Sequence, residues 1–170
     1  MKFLFYLYHI SLKIYYKIQG YYLLKKVMKH NNEIFIGGKT RLTSNTILGK
    51  NPNFNGMIIK GYGTVSFGNN FHSGSGCLII TSNHNYEGDK IPYDNTNIVK
   101  NVTIEDNVWL GDRVIILGGV VIGEGAILQA GAVVIKSIPP CAIAGGNPAQ
   151  VFKFRNKTHY FKLKFEEKFN

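Results

Sequence analysis

The chain has 170 residues, 45% of them hydrophobic and 18% charged, which suits one folded domain with terminal appendages. Its two cysteines, Cys77 and Cys141, lie far apart and outside any CxxC, which excludes a disulfide framework and a thiolate zinc motif and points to a reducing compartment. The net charge of +10 sits at the ends: residues 1–30 hold six lysines and no acid, residues 151–170 are basic, and 31–150 balance to zero, so the folded body lacks the basic stripe of a nucleic-acid binder.

Residues 1–33 form a basic, aromatic segment predicted to be helical. The apolar stretch Phe3–Leu12 is too short for a spanning helix of about 20 residues. It has the length of a signal-peptide core, but no small-x-small cleavage site follows. Two expectations stand. The helix caps the open end of the solenoid described next, with an apolar face on the last coil. Alternatively it lies at a membrane surface, with Lys13, Lys17, Lys25, Lys26 and Lys29 toward anionic lipid.

Between Ile104 and Ile138 an aliphatic residue recurs at every sixth position. Ile104, Leu110, Ile116, Ile122, Leu128 and Val134 form one row. Val108, Val114, Val120, Ala126, Ala132 and Ile138 form another, four residues behind it. Neither the 3.6 period of a helix nor the period 2 of a simple strand fits. A period of six predicts three short strands per turn of a solenoid, each sending one aliphatic side chain inward. The repeat domain is expected over 34–150. Ile36, Leu42 and Leu48 hold the step, Thr40 and Thr46 occupy the second row, and the phase slips around Asn51–Tyr62. About 18 residues per turn gives about five coils.

Residues 82–97, SNHNYEGDKIPYDNTN, break the repeat and are expected to leave the solenoid as a loop. Pro139-Pro140 is expected to end the last coil, after which CAIAGGNPAQVFKFR runs along the outside. Residues 151–170 form a basic tail with a short helix packed on the coil face or a subunit interface.

The run VTIEDNVWLGDRVIILGGVVIGEGAILQAGAVVIKSIPPCAIAGGNPAQVFKFR resembles the hexapeptide-repeat acyltransferases, above all the galactoside, maltose and capsule or O-antigen sugar O-acetyltransferases and the related xenobiotic acetyltransferases. The resemblance covers residues 52–155 and is most specific in NVWLG, IPP and AGGNPA. It implies an all-β fold, a left-handed parallel β-helix. It also implies a homotrimer with active sites between subunits, and acetyl-CoA as donor. By the same resemblance His84, in LIITSNHNYEGDKIPYDN, is the general base. Asn83 and Tyr86 beside it, with Asn53 and Asn55 from the phase-slip region, orient the base or hold the acceptor. Trp109, Gly111, Asp112 and Ala130 line the CoA channel, and Lys136, Lys153 and Arg155 face the CoA phosphates. Two departures concern the acceptor. Lys60, Gly61 and Tyr62 stand where relatives often carry an acid, and the amino-terminal segment is basic rather than acidic.

The chemistry suits these residues. A thioester is already activated, whereas a hydroxyl attacks only once a base takes its proton. A neutral imidazole suits that task at cytoplasmic pH. The second ring nitrogen of His84 is expected to donate to a backbone carbonyl or to Asn83, and a backbone N–H of the 110–112 turn to stabilise the oxyanion. His72 is expected to be a surface or subunit-contact residue and Cys141 a small packing residue. The expected activity is O-acetylation of a sugar of a surface polysaccharide or its precursor, in the cytoplasm at the inner face of the membrane. The alternatives are N-acetylation of an amino sugar or xenobiotic, and a non-catalytic trimeric scaffold. A γ-carbonic-anhydrase-type zinc enzyme needs three histidines, and the repeat region holds only His72 and His84, so no metal is expected.

Overall fold

Every member of both aliphatic rows points inward. Residues of the first row from Ile104 to Val134 are at most 1% exposed, and those of the second, Val108 to Ile138, at most 4%. The computed structural model describes residues 2–170 of the chain, and side-chain burial from Leu4 onward. Helix α1 (Lys2–Lys26) leads into a parallel β-helix, and helix α2 (Lys157–Phe165) follows it.

The coils read off in chain order. The first contributes β1 (Phe35–Ile36), with lone bridges at Lys29 and Arg41 marking its other two sides. The second holds β2 (Thr46–Leu48), β3 (Asn53–Phe54) and β4 (Met57–Lys60), and the third β5 (Val65–Phe67), β6 (His72–Ser73) and β7 (Cys77–Ile80). An antiparallel hairpin intervenes, β8 (Ser82–His84) with β9 (Asn97–Val99). The fourth coil is β10 (Val102–Ile104), β11 (Trp109–Leu110) and β12 (Ile115–Leu117). The fifth is β13 (Val121–Ile122), β14 (Ile127–Leu128) and β15 (Val133–Val134). A partial sixth turn adds a bridge at Ile138 and β16 (Ala142–Gly145), and β17 (Gln150–Phe154) folds back antiparallel on β16.

Three faces result. The first stacks β2, β5, β10 and β13, and the third stacks β4, β7, β12 and β15. The second runs β1, β3, β6, β11, β14, β16, β17. The solenoid makes about six turns, one more than the eighteen-residue step suggests. Part of the difference is the last turn, which needs only sixteen residues, from Ile122 to its partner Ile138. Pro139-Pro140 therefore makes a corner and does not end the coil. Nor does the following segment run wholly outside, since Ala142 and Ala144 are fully buried as the inward residues of β16.

Register locates the irregularities. Leu110 pairs with Leu128, eighteen residues on, and Phe35 with Asn53, also eighteen. Across the phase slip Asn53 pairs with His72 and Met57 with Cys77, steps of nineteen and twenty. Phe67 pairs with Ile104, a step of 37, so the hairpin is an insert of nineteen residues in an otherwise continuous ladder. It leaves the body at the corner between the third and first faces.

The corner between the first and second faces is built from residues with left-handed backbone. Asn32, Asn51, Asn70, Asn107 and Cys141 have φ between 50° and 62°, and Gly125 has φ 68°. Asparagine tolerates this conformation better than other residues with a side chain. Stacking the corners also stacks the amides: Asn51 Nδ2 donates to Asn70 Oδ1 (3.2 Å), and Asn70 Nδ2 to Asn107 Oδ1 (2.9 Å).

Helix α1 covers an end of the solenoid, but it is the first coil and not the last. Gly20, Leu23 and Val27 are buried, and a Cβ at Gly20 would sit 3.2 Å from Ile34 Cγ2. Gln19 Nε2 donates to Thr40 O. Helix α2 is fixed through Tyr160, whose hydroxyl donates to Glu124 Oε1 (2.8 Å) and accepts from Asn107 Nδ2 (2.9 Å). Lys164 Nζ reaches the same carboxylate oxygen at 2.6 Å. Burial, and then the bond to Glu124, push the Tyr160 phenol well above its ordinary range.

Candidate functional site

The hairpin owes its shape to polar residues that satisfy one another. Asn85 N–H donates to Thr96 O, and Asp94 N–H to Asn85 O, both at 3.1 Å. Asp94 accepts from the Thr96 hydroxyl and amide, which hold its carboxyl below the usual range. His84 ends the first arm opposite Asn97, and it is exposed. Its imidazole lies flat on the Tyr93 ring, with centroids 3.9 Å apart and planes 7° from parallel. Among the described residues the ring makes no hydrogen bond, so the expected donation to a carbonyl or to Asn83 is absent within the chain. Stacking orients the histidine instead. Asn83 and Tyr86 are exposed on the same hairpin.

The other polar cluster stands on the second face. Parallel register places Asn53, His72 and Trp109 side by side on β3, β6 and β11. Asn55 Nδ2 donates to Asn53 Oδ1 (3.2 Å) and Ser73 O (2.9 Å), and lies 3.2 Å from His72 Nε2. His72 is thus part of a polar network on this face, half-buried. Trp109 is 52% exposed, as expected for an outward position on a ladder whose next residue, Leu110, is fully buried. Between this face and α2 opens a cavity of about 610 Å³, lined by Phe35, Asn53, His72, Trp109 and Phe169 among others.

The expected site residues therefore fall into separate groups. The hairpin springs from the corner opposite the second face. His84 lies only three residues past the buried Thr81, about 10 Å of extended chain. One chain cannot bring His84 to Trp109 or Asn53. Gly111, Asp112 and Ala130 lie at the corner between the second and third faces. There the coils approach so closely that a Cβ on Gly111 would be 2.6 Å from Ala130 N. The Gly111 N–H donates to Leu128 O (2.8 Å), so the ladder takes up an N–H expected for an oxyanion. Asp112 Oδ1 accepts from Ser75 N (2.6 Å), a bond between neighbouring coils. Lys136 is exposed at the hairpin's own corner, two coils further on, and Lys153 is exposed on β17. Arg155 is engaged within the chain: Nη1 donates to Gly125 O (3.2 Å), and the guanidinium stacks 4.7 Å from the Tyr160 ring centroid.

Neither cysteine offers a nucleophile. Cys77 and Cys141 are buried, and burial raises both thiols above their ordinary values. His72 and His84 stand on opposite sides of the solenoid, so one chain does not gather them around a metal. Sequence reasoning missed Tyr93 as the partner of His84. The only signal was an aromatic nine residues on in the same loop, and it did not give the pairing across the hairpin.

Comparison with known proteins bears on this arrangement. Residues 101–136 match the model of the bacterial transferase hexapeptide (six repeats). No curated protein matches the chain by sequence. Among solved structures, a maltose O-acetyltransferase of Clostridium difficile 630 is similar with a TM-score of 0.69 and 26% identity, over 85% of this chain and 87% of that one. A galactoside acetyltransferase in complex with coenzyme A gives 0.61 and 24%, over 88% and 84%. A hexapeptide-repeat acetyltransferase of Vibrio cholerae O1 biovar eltor complexed with acetyl coenzyme A gives 0.61 and 21%, over 85% and 83%. By repeat over residues 101–136 and by fold over most of its length, the chain resembles the hexapeptide-repeat acetyltransferases.

Proposed function

We propose that the chain is an acetyl-CoA-dependent O-acetyltransferase acting on a sugar hydroxyl of a surface polysaccharide or its precursor, in the cytoplasm. The observation that carries this reading is His84: an exposed imidazole held flat on Tyr93, on the nineteen-residue insert that interrupts the ladder. The split between His84 and the second face supports a site shared between chains, which the likeness to hexapeptide-repeat acetyltransferases makes a homotrimer: the hairpin of one chain meets a neighbour's Trp109, Asn53 and Asn55. Acetyl-CoA is the donor, and Lys136 and Lys153 are free to approach its phosphates. Arg155 serves the carboxyl-terminal helix first.

In the reaction His84 accepts the proton of the sugar hydroxyl as its oxygen attacks the thioester carbonyl. The new C–O bond forms and the C–S bond breaks. The proton held on His84 then passes to the departing thiolate, giving acetylated sugar and free CoA thiol. General-base help of this kind contributes roughly 10²–10⁴-fold. Thiol release from acetyl-CoA, measured over a panel of sugars and capsule oligosaccharides, tests the reading. His84→Ala should lose roughly 10²-fold or more of turnover with CoA still bound. Equal turnover in both proteins would remove His84 from the chemistry, and product acetylated on nitrogen would assign an amino-sugar or xenobiotic acceptor.

A further inference from the structure

Helix α1 is far longer than its task of covering the first coil requires. Its packed face is Leu12, Tyr16, Gln19, Gly20, Leu23 and Leu24, the residues with reduced exposure at helical spacing, with Val27 buried just past its end. Before Leu12 every described side chain is exposed, Ile10 the least among the large apolar ones at 37%. On the side turned away from the solenoid, Leu4, Leu7, Ile14, Ile18 and Tyr21 recur at helical spacing, with Tyr8, Tyr15 and Tyr22 flanking them. Ile14 is 56% exposed, Ile18 52% and Tyr22 65%. Exposed apolar surface this continuous marks an interaction site.

Two occupants compete for that face, a second copy of the helix or a lipid surface. A parallel seam between copies would set Lys25 against Lys25 in the row that starts at Leu4, and an antiparallel one would press Lys25 onto Leu4. Residues 1–30 hold no acidic side chain that could relieve this or pair with Lys17. The arc from Ile10 through Ile14 and Ile18 to Tyr8 is also wider than the narrow stripe of a coiled coil. Apolar side chains, tyrosines and unopposed lysines together match the boundary of an anionic bilayer. There acyl chains receive the aliphatic groups, headgroups the phenols, and phosphates the ammonium groups. No helix among the described residues is long and apolar enough to cross a membrane, so α1 would lie along the surface.

We propose that α1 docks the protein on anionic lipid through Leu7, Ile14, Ile18 and the tyrosines beside them, with Lys13 and Lys17 at the headgroups. This stands independently of the reaction assigned to His84. The test is co-sedimentation of the full chain with phosphatidylcholine vesicles, with and without phosphatidylglycerol, at low and high salt. Binding should require phosphatidylglycerol and weaken as salt rises. It should fall about tenfold or more in Ile14→Ser/Ile18→Ser. It should weaken, with a flatter salt dependence, in Lys13→Gln/Lys17→Gln. Both pairs face solvent, so melting temperature should stay at the wild-type value; Tyr15→Ser/Tyr22→Ser is the second variant if the first pair unfolds. Absence of binding, or binding indifferent to these variants, overturns the proposal. So does a wild-type oligomer that Ile14→Ser/Ile18→Ser dissociates in sedimentation velocity, since a second copy would then own the face.

Discussion

At the scale of single residues, the two that matter most to the site were unequally visible. His84 stood out because it sits where a six-residue rhythm stops, and a polar break in a solenoid is a loop wherever it occurs. Tyr93 did not, because pairing within a loop depends on how the loop folds, and no period reports that. Among the described residues its ring is the one group that orients the imidazole. Tyr93→Phe keeps the stacking surface and should retain most turnover. Tyr93→Ala frees the histidine to rotate and should lower kcat/KM roughly tenfold, with CoA affinity unchanged, since misplacement of a base reduces rate more than binding. Steady-state kinetics on both variants reads the difference. The asparagines at the corner were not legible as a set: the stacking of Asn51, Asn70 and Asn107 into a chain of amides ending on Tyr160 follows from coil register, which the insert disguises.

At the scale of elements, the inward rows were legible because each coil makes the same demand at the same place: one aliphatic side chain per short strand. Leu110 and Ile116 are fully buried, and shortening either to alanine would cost about 2–5 kcal/mol. The ends of the solenoid were read less well. Pro139-Pro140 reads as a stop in the sequence, yet proline is tolerated at a corner, where no ladder bond is asked of it. The hairpin is the element whose independence can be checked. Its nineteen extra residues enter and leave at one corner, so excising them returns the step between coils to eighteen. A chain lacking Ser82 to Lys100 should keep its β-rich circular dichroism and melt within a few degrees of wild type. It should show no acetyl transfer. Loss of the fold would mean that the hairpin supports the coils as well as carrying the base.

At the scale of the whole molecule, the solenoid keeps His84 and Trp109 of one chain on different sides. A working site made from both must draw on two chains. Two inactive proteins, His84→Ala and Trp109→Ala, should then complement each other. Unfolded and refolded together in equal amounts, they should regain roughly a quarter of wild-type turnover, the share of interfaces at which an intact hairpin meets an intact face. Either variant refolded alone should remain inactive. Activity that stays at the single-variant level after mixing would place the whole site within one subunit. Trimerisation entered the sequence reading only through a family likeness, because a six-residue period specifies what lies inside a coil and says nothing of what meets its outside.

The antiparallel return of β17 onto β16 has a consequence beyond the site. A stack of parallel strands is a template, and each terminal coil offers its edge to any strand of matching spacing. Here α1 lies over one end, and the chain's own reversal occupies part of the other. The solenoid thus has a fixed length and does not invite a second one to continue it. Removing residues 150–170 would bare the β16 edge while α1 still covers the first coil, and such a protein should pair edge to edge into dimers that stop there, read by sedimentation velocity.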